Sequence, residues 1–113
     1  MKNWIFRFRV VDRARFEEVR SGLKEIETRA ATVKYKPIAV GDTITFVCGK
    51  KRFKKTIAQK HHFKSPEAML KKLQLKRIMP SIKNLSEMKE RYASYPDYEK
   101  KIKKFGLFAF VLK

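Results

Sequence analysis

The sequence predicts an α+β fold, in which a small, partly closed β-barrel of about five strands carries two to four helices that flank a cleft. The predicted elements follow the order strand, helix, three strands, two or three helices and a last strand. Nine phenylalanines supply an aromatic interior, and 113 residues suffice for one domain with its own core. Helices over one opening of a curved sheet complete this architecture. Residues 1–113 are therefore expected to form a single domain.

The N-terminal third of the chain predicts a strand, a helix and further extended structure. An apolar residue stands at every second position of the first stretch: Trp4, Phe6, Phe8 and Val10. This period of two indicates a strand with one buried face. Residues 13–21 follow as a helix that ends at Gly22, because glycine readily takes the left-handed conformation of a helix cap. Residues 23–35 are expected to return to extended structure.

The middle of the chain predicts a β-hairpin. Val40-Gly41-Asp42 is typical of a tight turn, and the β-branched residues of 43–48 favour a strand. Residues 49–52 form the expected hairpin tip, and residues 53–63 form the partner strand.

The C-terminal half predicts helices and a last strand. Ser65-Pro66-Glu67 combines a hydroxyl cap, a proline at the first helical position and an acid in the first turn, and this helix is expected to end near residues 78–80. Asn84 to Glu87 has the spacing of a capping box and starts a second helix. Residues 98–105 indicate one more helical stretch, and the apolar run 107–112 is short enough for a buried strand.

Charge is concentrated in the sequence. There are 29 Lys and Arg residues against 11 Asp and Glu residues, a net charge of +18. Positions 50–64 contain seven cations and no acid, which favours a surface that follows phosphates over an ordinary solvated hairpin. The candidate RNA-binding cations of this stretch are Lys50, Lys51, Arg52, Lys54, Lys55 and Lys60.

Several classes of protein and site are not expected. Cys48 is the single cysteine, so the chain has no internal disulfide and suits a reducing compartment. No apolar run approaches the roughly 20 residues of a membrane span, and the N-terminus lacks the apolar core of a signal peptide. We therefore predict a cytoplasmic protein with no membrane partner. No metal site and no cofactor are predicted, since His61 and His62 are adjacent on a strand and point to opposite faces.

The stretch from Gly22 to Arg29 has two interpretations. On a strand, residues 23, 25, 27 and 29 would share one face, and the charges would form half-exposed surface pairs. Alternatively, Lys24, Glu27 and Arg29 line a small cavity that can grip a polar ring or a phosphate.

This stretch resembles a pattern of the ASCH domain, a branch of the PUA-like superfamily of small β-barrels. The pattern Gly-x-Lys-x-x-Glu-x-Arg stands at Gly22, Lys24, Glu27 and Arg29. Further landmarks follow in the family's order: Pro37-Ile38, Val40 to Ile44, Phe63-Lys64-Ser65, Met69-Leu70, Tyr92, Tyr95 and Gly106. The resemblance covers nearly the whole chain.

The resemblance implies an RNA-binding module with a cleft between the barrel and its helices. PUA-like relatives bind RNA, often with a base or a backbone bend in such a cleft. Lys24, Glu27 and Arg29 would then contact phosphates and base edges, while unstacked bases lie on aromatic rings. The expected partner is RNA in single-stranded or looped form.

Two alternatives stay open. An ASCH-like branch hydrolyses N4-acetylcytidine, but its pattern has a threonine where this chain has Glu27, and no acid lies between Glu67 and Glu87 to replace its distal glutamate. Other ASCH-like proteins are described as ribonucleases, for which Lys24, Glu27 and Tyr92 are the candidate acid–base residues. A basic, ribosome-associated structural protein without a functional cleft is the other alternative.

Overall fold

The computed structural model describes all residues from Met1 to Lys113 and contains one five-stranded sheet. The strands are β1 (Asn3–Phe8), β2 (Ile26–Ala30), β3 (Thr43–Cys48), β4 (Lys51–Phe63) and β5 (Leu107–Leu112). Their order across the sheet is β1-β3-β4-β5-β2, with β1 parallel to β3 and the other neighbours antiparallel. The sheet forms a half-barrel with β1 and β2 as its edges, so the predicted α+β, partly closed barrel is confirmed.

Five helices pack on this half-barrel. They are α1 (Arg13–Ser21), α2 (Pro66–Leu70), α3 (Leu75–Ile78), α4 (Leu85–Ala93) and α5 (Tyr98–Phe105). The helix expected from residue 66 to about 78 is broken into α2 and α3, which raises the count above the expected two to four. None of the five has the length and apolar character to cross a bilayer.

The predicted helix starts are confirmed by their capping contacts. The Ser65 hydroxyl accepts a hydrogen bond from the Ala68 N–H at 3.1 Å, and the Asn84 side chain accepts one from the Glu87 N–H at 3.0 Å. The Glu87 carboxylate accepts from the Lys83 N–H, so the reciprocal half of a capping box does not form at Asn84.

Strand β5 separates two cores, which explains why its sequence is apolar at every position. Its odd-numbered side chains join a core of 13 buried residues beneath α2 to α5. Phe108 and Phe110 join a second core of 10 buried residues, where α1 covers the inside of the curved sheet. Because side chains alternate along a strand, β5 feeds both cores at once. Cys48 is buried in the second core.

Two expectations for the N-terminal third are wrong. Val10 is 71% exposed, because β1 ends at Phe8 and the chain enters a 3-10 turn over Val10–Asp12. The extended stretch of residues 23–35 is shorter than expected, since only Ile26–Ala30 pairs with another strand and Val33–Tyr35 forms a second 3-10 turn. Both turns carry the chain away from the edges of the sheet.

Gly106 joins α5 to β5 at a point where no side chain fits. Its φ is 81°, in the region that favours glycine, and a Cβ there would collide with the carbonyl oxygen of Phe63. The close approach lets the chain pass directly from the helix into the middle of the sheet.

Asp42 fastens the start of β1 to the turn before β3. Its carboxylate accepts hydrogen bonds from the Trp4 indole N–H at 2.8 Å and from the backbone N–H groups of Lys2 and Ala39, each at 3.0 Å. These donors, led by the Trp4 indole, lower the pKa of Asp42 to about 2.

Candidate functional site

A cleft of about 200 Å3 opens where the half-barrel fails to close, between the edge strands β1 and β2 and beside α4 and α5. Its aromatic lining comes from Phe8 and from Tyr92, Tyr95 and Tyr98. Its acidic residues are Asp12 and Glu27. Its basic residues are Arg7, Arg9, Arg15, Lys24, Arg29, Arg91 and Lys101. The cleft is therefore strongly electropositive and partly aromatic.

Side chains, not backbone hydrogen bonds, bridge the two edge strands. The Arg29 guanidinium on β2 lies 4.4 Å from the centre of the Phe6 ring and 5.4 Å from that of the Phe8 ring, both on β1. Such cation–π contacts hold the guanidinium over the gap. Arg29 thus forms part of the inner wall of the cleft.

Lys24, Glu27 and Arg29 form a buried ion chain in this wall. The Lys24 ammonium lies 3.3 Å from one Glu27 carboxylate oxygen, and the Arg29 guanidinium lies 3.0 Å from the other. Lys24 is 6% exposed and Glu27 is 4% exposed. The expected cavity lined by these three residues is confirmed, and the alternative of half-exposed surface pairs is wrong for them.

The ion chain does not follow strand alternation. Strand β2 begins only at Ile26, so Lys24 lies in the preceding loop and its side chain turns toward Glu27. There the Lys24 ammonium also donates a hydrogen bond to the carbonyl oxygen of Ile78 at 2.6 Å. Glu25 does stay on the surface, where it pairs with Arg77.

Burial has opposite outcomes for the two cations of the ion chain. Burial lowers the pKa of Lys24, and the nearby Glu27 carboxylate only partly offsets this. Burial also opposes the charge of Arg29, but the Glu27 carboxylate together with Tyr98 and Tyr35 outweighs it, and the pKa of Arg29 is raised. Arg29 therefore stays a permanent cation, and Lys24 is the group closer to losing its proton.

Two cleft tyrosines are tied into the protein by their hydroxyl groups. The Tyr92 and Thr28 hydroxyls are 2.6 Å apart, and the Tyr98 hydroxyl accepts a hydrogen bond from the Ala30 N–H at 3.1 Å. Burial raises the pKa of Tyr92 above its usual range and that of Tyr98 to about 12. Tyr92, the candidate acid–base tyrosine, therefore keeps its proton at ordinary pH, and its hydroxyl is already hydrogen-bonded to that of Thr28.

The mouth of the cleft carries an arginine cluster that the sequence did not reveal: Arg9, Arg15 and Arg91. Arg9 pairs with Asp12 at 2.7 Å, and Arg15 pairs with Glu18 at 2.9 Å. Arg91 has no carboxylate oxygen within 4.0 Å. The three residues come from the end of β1, from α1 and from α4. The one sequence signal for Arg91 is its place just before Tyr92.

The predicted hairpin forms, but its basic residues do not share one face. We call Lys50, Lys51, Arg52, Lys54 and Lys55 the hairpin cations. Phe53 packs against Phe16 of the inner core with ring centres 5.0 Å apart. Because β4 side chains alternate, Lys51 and Lys55 lie on the side of Phe53, while Arg52 and Lys54 lie on the other.

None of the hairpin cations lines the cleft, but the hairpin tip adjoins it. Phe8 at the end of β1 is paired in register with Cys48, the last residue of β3. The Cys48 sulfur lies 3.8 Å from the carbonyl oxygen of Arg9. The tip at Lys50 therefore follows directly after the part of β3 that flanks the cleft mouth.

Lys60 is a cation of β4 whose ammonium is occupied within the protein. The group donates a hydrogen bond to the carbonyl oxygen of Lys36 at 2.8 Å and lies 4.4 Å from the centre of the Phe108 ring. Burial lowers the pKa of Lys60. Lys60 is paired in register with Phe110 and does not line the cleft.

No family model and no curated protein matches the chain. Solved structures do. The crystal structure of hypothetical protein PH0355 is 27% identical, with a TM-score of 0.81 over 100% of this chain and 98% of that chain. The solution NMR structure of protein PF0455 from Pyrococcus furiosus is 28% identical, with a TM-score of 0.76 over 98% of this chain and 96% of that chain. The chain shares its fold with both.

Proposed function

We propose that this protein binds RNA as an ASCH-type, PUA-like module in the cytoplasm, with the cleft and the adjoining hairpin as its binding surface. The observation that carries the proposal is the lining of the cleft, where seven basic residues and four aromatic rings face two acids. Clustered cations favour binding to a phosphate backbone, because binding releases the counterions condensed on the nucleic acid. The aromatic rings offer surfaces for an unstacked base.

The shape of the cleft favours a single strand over a duplex. A volume of about 200 Å3 is too small to admit a double helix, whereas the unstacked bases of a single strand can enter such a cleft one at a time. The hairpin cations next to the mouth extend the positive surface to neighbouring phosphates. Their exposure fits contacts that position a backbone without reading its sequence.

Catalysis in the same cleft is the second candidate, and the lowered pKa of Lys24 is the observation that favours it. A lysine with a lowered pKa gives up its proton more readily and can serve as a general base in a ribonuclease or a modified-nucleoside amidohydrolase. Two contacts oppose this role, because the Lys24 ammonium is bound to Glu27 and to the carbonyl of Ile78. Turnover of RNA or of N4-acetylcytidine that Lys24→Ala abolishes would establish the enzyme instead.

The test of RNA binding is the salt dependence of affinity for a single-stranded oligonucleotide. If about five phosphates are contacted, the log–log slope should be about −3 to −4. Serine at the five hairpin cations should flatten the slope and weaken all sequences alike. A slope near zero in the wild type would refute the electrostatic account.

A second quintuple variant controls for the loss of net charge. Its five exposed lysines lie outside both the hairpin and the cleft: Lys71, Lys72, Lys76, Lys83 and Lys100. Serine at these positions removes the same charge and should leave the slope steeper than in the hairpin variant. Equal slopes in the two variants would show that overall charge, and not the hairpin, drives binding.

A further inference from the structure

Arg91 is the arginine of the cleft mouth that has a hydrogen-bond donor without a partner. Its Nη2 donates a hydrogen bond to the Ser81 hydroxyl at 3.0 Å, but its Nη1 is buried and has no hydrogen-bond partner. Arg9 and Arg15 beside it each have a carboxylate partner. A buried donor without a partner is rare in proteins and calls for an explanation, such as a ligand that completes it.

Arg91 carries a charge that no carboxylate pairs with directly, since Asp12 and Glu18 pair with Arg9 and Arg15. Burial, and then the charge of Arg15, lower the pKa of Arg91, while Tyr95, Glu18 and Asp12 partly offset this. A guanidinium nevertheless keeps its charge at any ordinary pH. An anion at this point would therefore supply the direct counter-charge that Arg91 lacks.

Tyr95 supplies a further free donor at the same place. It lies four residues after Arg91, and its hydroxyl makes no hydrogen bond within the protein, in contrast to the hydroxyls of Tyr92 and Tyr98. The Arg9 guanidinium lies 5.7 Å from the centre of the Tyr95 ring. Arg9, Arg15, Arg91 and Tyr95 thus come from different segments of the chain and line the same cleft.

We propose that Arg91, together with Arg15, Arg9 and the Tyr95 hydroxyl, forms a phosphate-binding subsite at the cleft mouth, separate from the buried ion chain. A phosphate group has several acceptor oxygens in a tetrahedral arrangement, so it can accept from donors on different elements at once. A planar carboxylate can pair with one guanidinium, but its two oxygens accept hydrogen bonds from fewer directions than a phosphate does. That the phosphate belongs to RNA rests on the proposed function, whereas the subsite itself does not.

The first experiment uses inorganic phosphate as the probe. Thermal unfolding is followed in phosphate and in chloride at equal ionic strength for the wild type, Arg91→Gln and Arg13→Gln. Arg13 is the matched control, since it is an exposed arginine of α1 outside the cleft. Phosphate should raise the midpoint of the wild type and of Arg13→Gln, and should not raise that of Arg91→Gln. An equal rise in all three proteins would overturn the subsite.

A structural role for Arg91 predicts a different result. If Arg91 only supports the fold, Arg91→Gln should lower the midpoint in chloride and still respond to phosphate. If it is an unfilled anion site, the variant should be at least as stable in chloride as the wild type, since a buried donor without a partner is gone. Tyr95→Phe keeps the ring and removes only the hydroxyl, and it should reduce the phosphate response without abolishing it.

The second experiment identifies the phosphate's carrier with matched oligonucleotides that bear a 5′-phosphate or a 5′-hydroxyl, and with a free nucleoside monophosphate. Arg91→Gln should weaken RNA binding about tenfold to a hundredfold, the range of a charge-assisted contact. A loss confined to the 5′-phosphate form assigns the subsite to a chain end, and an equal loss for both forms assigns it to an internal phosphodiester. A loss confined to the monophosphate assigns it to a free nucleotide.

The two experiments separate failure of the subsite from failure of the proposed function. A phosphate response that depends on Arg91, without RNA binding by the wild type, would keep the subsite and refute the RNA partner. RNA binding that is unchanged in Arg91→Gln, without a phosphate response, would keep the proposed function and overturn the subsite.

Discussion

Glu27 lies between the buried Lys24 and the partly buried Arg29 and pairs with both, so its replacement is the sharpest test of the ion chain. Glu27→Gln leaves Lys24 and Arg29 near each other without the carboxylate that lies 3.3 Å and 3.0 Å from them. Removing one partner of a buried pair typically costs about 3–5 kcal/mol. Glutamine keeps the shape and one acceptor, so it should cost least, and Glu27→Ala should cost more. Domains of this size have a free energy of unfolding of about 5–15 kcal/mol, so the loss is measurable.

Glu25→Gln is the matched control, because Glu25 lies two residues away in an exposed pair with Arg77 at 3.3 Å. An exposed pair is worth about 0–1 kcal/mol. Unfolding in urea, which adds no salt, gives the free energies, with Trp4 fluorescence as the signal. RNA titrations run in parallel should show weaker specific binding for both Glu27 variants. If Glu27→Gln costs no more than Glu25→Gln and binds RNA normally, the assignment of a buried, binding ion chain is refuted.

Two further outcomes test the frame around the cleft. Alanine at Gly22 forces a side chain into left-handed backbone, at about 1–2 kcal/mol. Gly106 has φ 81° and ψ −159°, a conformation essentially restricted to glycine, and a Cβ there also collides with Phe63. Urea curves should therefore show a larger loss for Gly106→Ala than for Gly22→Ala, and equal losses would contradict this contact. The Trp4 indole and backbone donors lower the pKa of Asp42 to about 2 in the folded protein, against about 3.9 in the unfolded chain. The ionised carboxylate therefore stabilises the fold fully above about pH 3.9, and this stabilisation is lost as the pH falls toward 2. Asp42→Asn should therefore flatten the fall in unfolding free energy between pH 4 and pH 2, and an unchanged slope would contradict the hydrogen-bond assignment.

The sequence predicted those parts of the fold that local chemistry decides. Residues 107–112 are apolar throughout because β5 faces a core on both sides, and a short apolar run is the signal of such a strand. Ser65 and Asn84 both begin helices, since their side chains accept from backbone N–H groups three residues ahead. The capping contacts join residues within one helical turn of each other, so the local sequence is enough to predict them.

The errors arose where distant segments decide the outcome. Val10 fits the alternation of β1, but β1 ends at Phe8 and the chain turns into Val10–Asp12. Residues 49–52 were expected to form the hairpin tip, but β4 already begins at Lys51, so strand alternation divides the hairpin cations between two faces. Arg91 joins the cleft only because α4 folds back over the edge strands, and no local pattern marks it.

The contacts already made in the cleft indicate which residues are left for a ligand. Arg29 is occupied by Glu27 and by the rings of β1, and Lys24 by Glu27 and a carbonyl, so both are partnered where they lie. Pulling either toward a phosphate would leave the Glu27 carboxylate buried with a broken pair, which is costly. Arg91 has a free donor and no counterion, so it can bind an anion without breaking a contact. The ion chain therefore shapes and charges the wall that the half-barrel leaves open, and in the proposed subsite the first direct contact with a phosphate falls to the arginine cluster at the mouth.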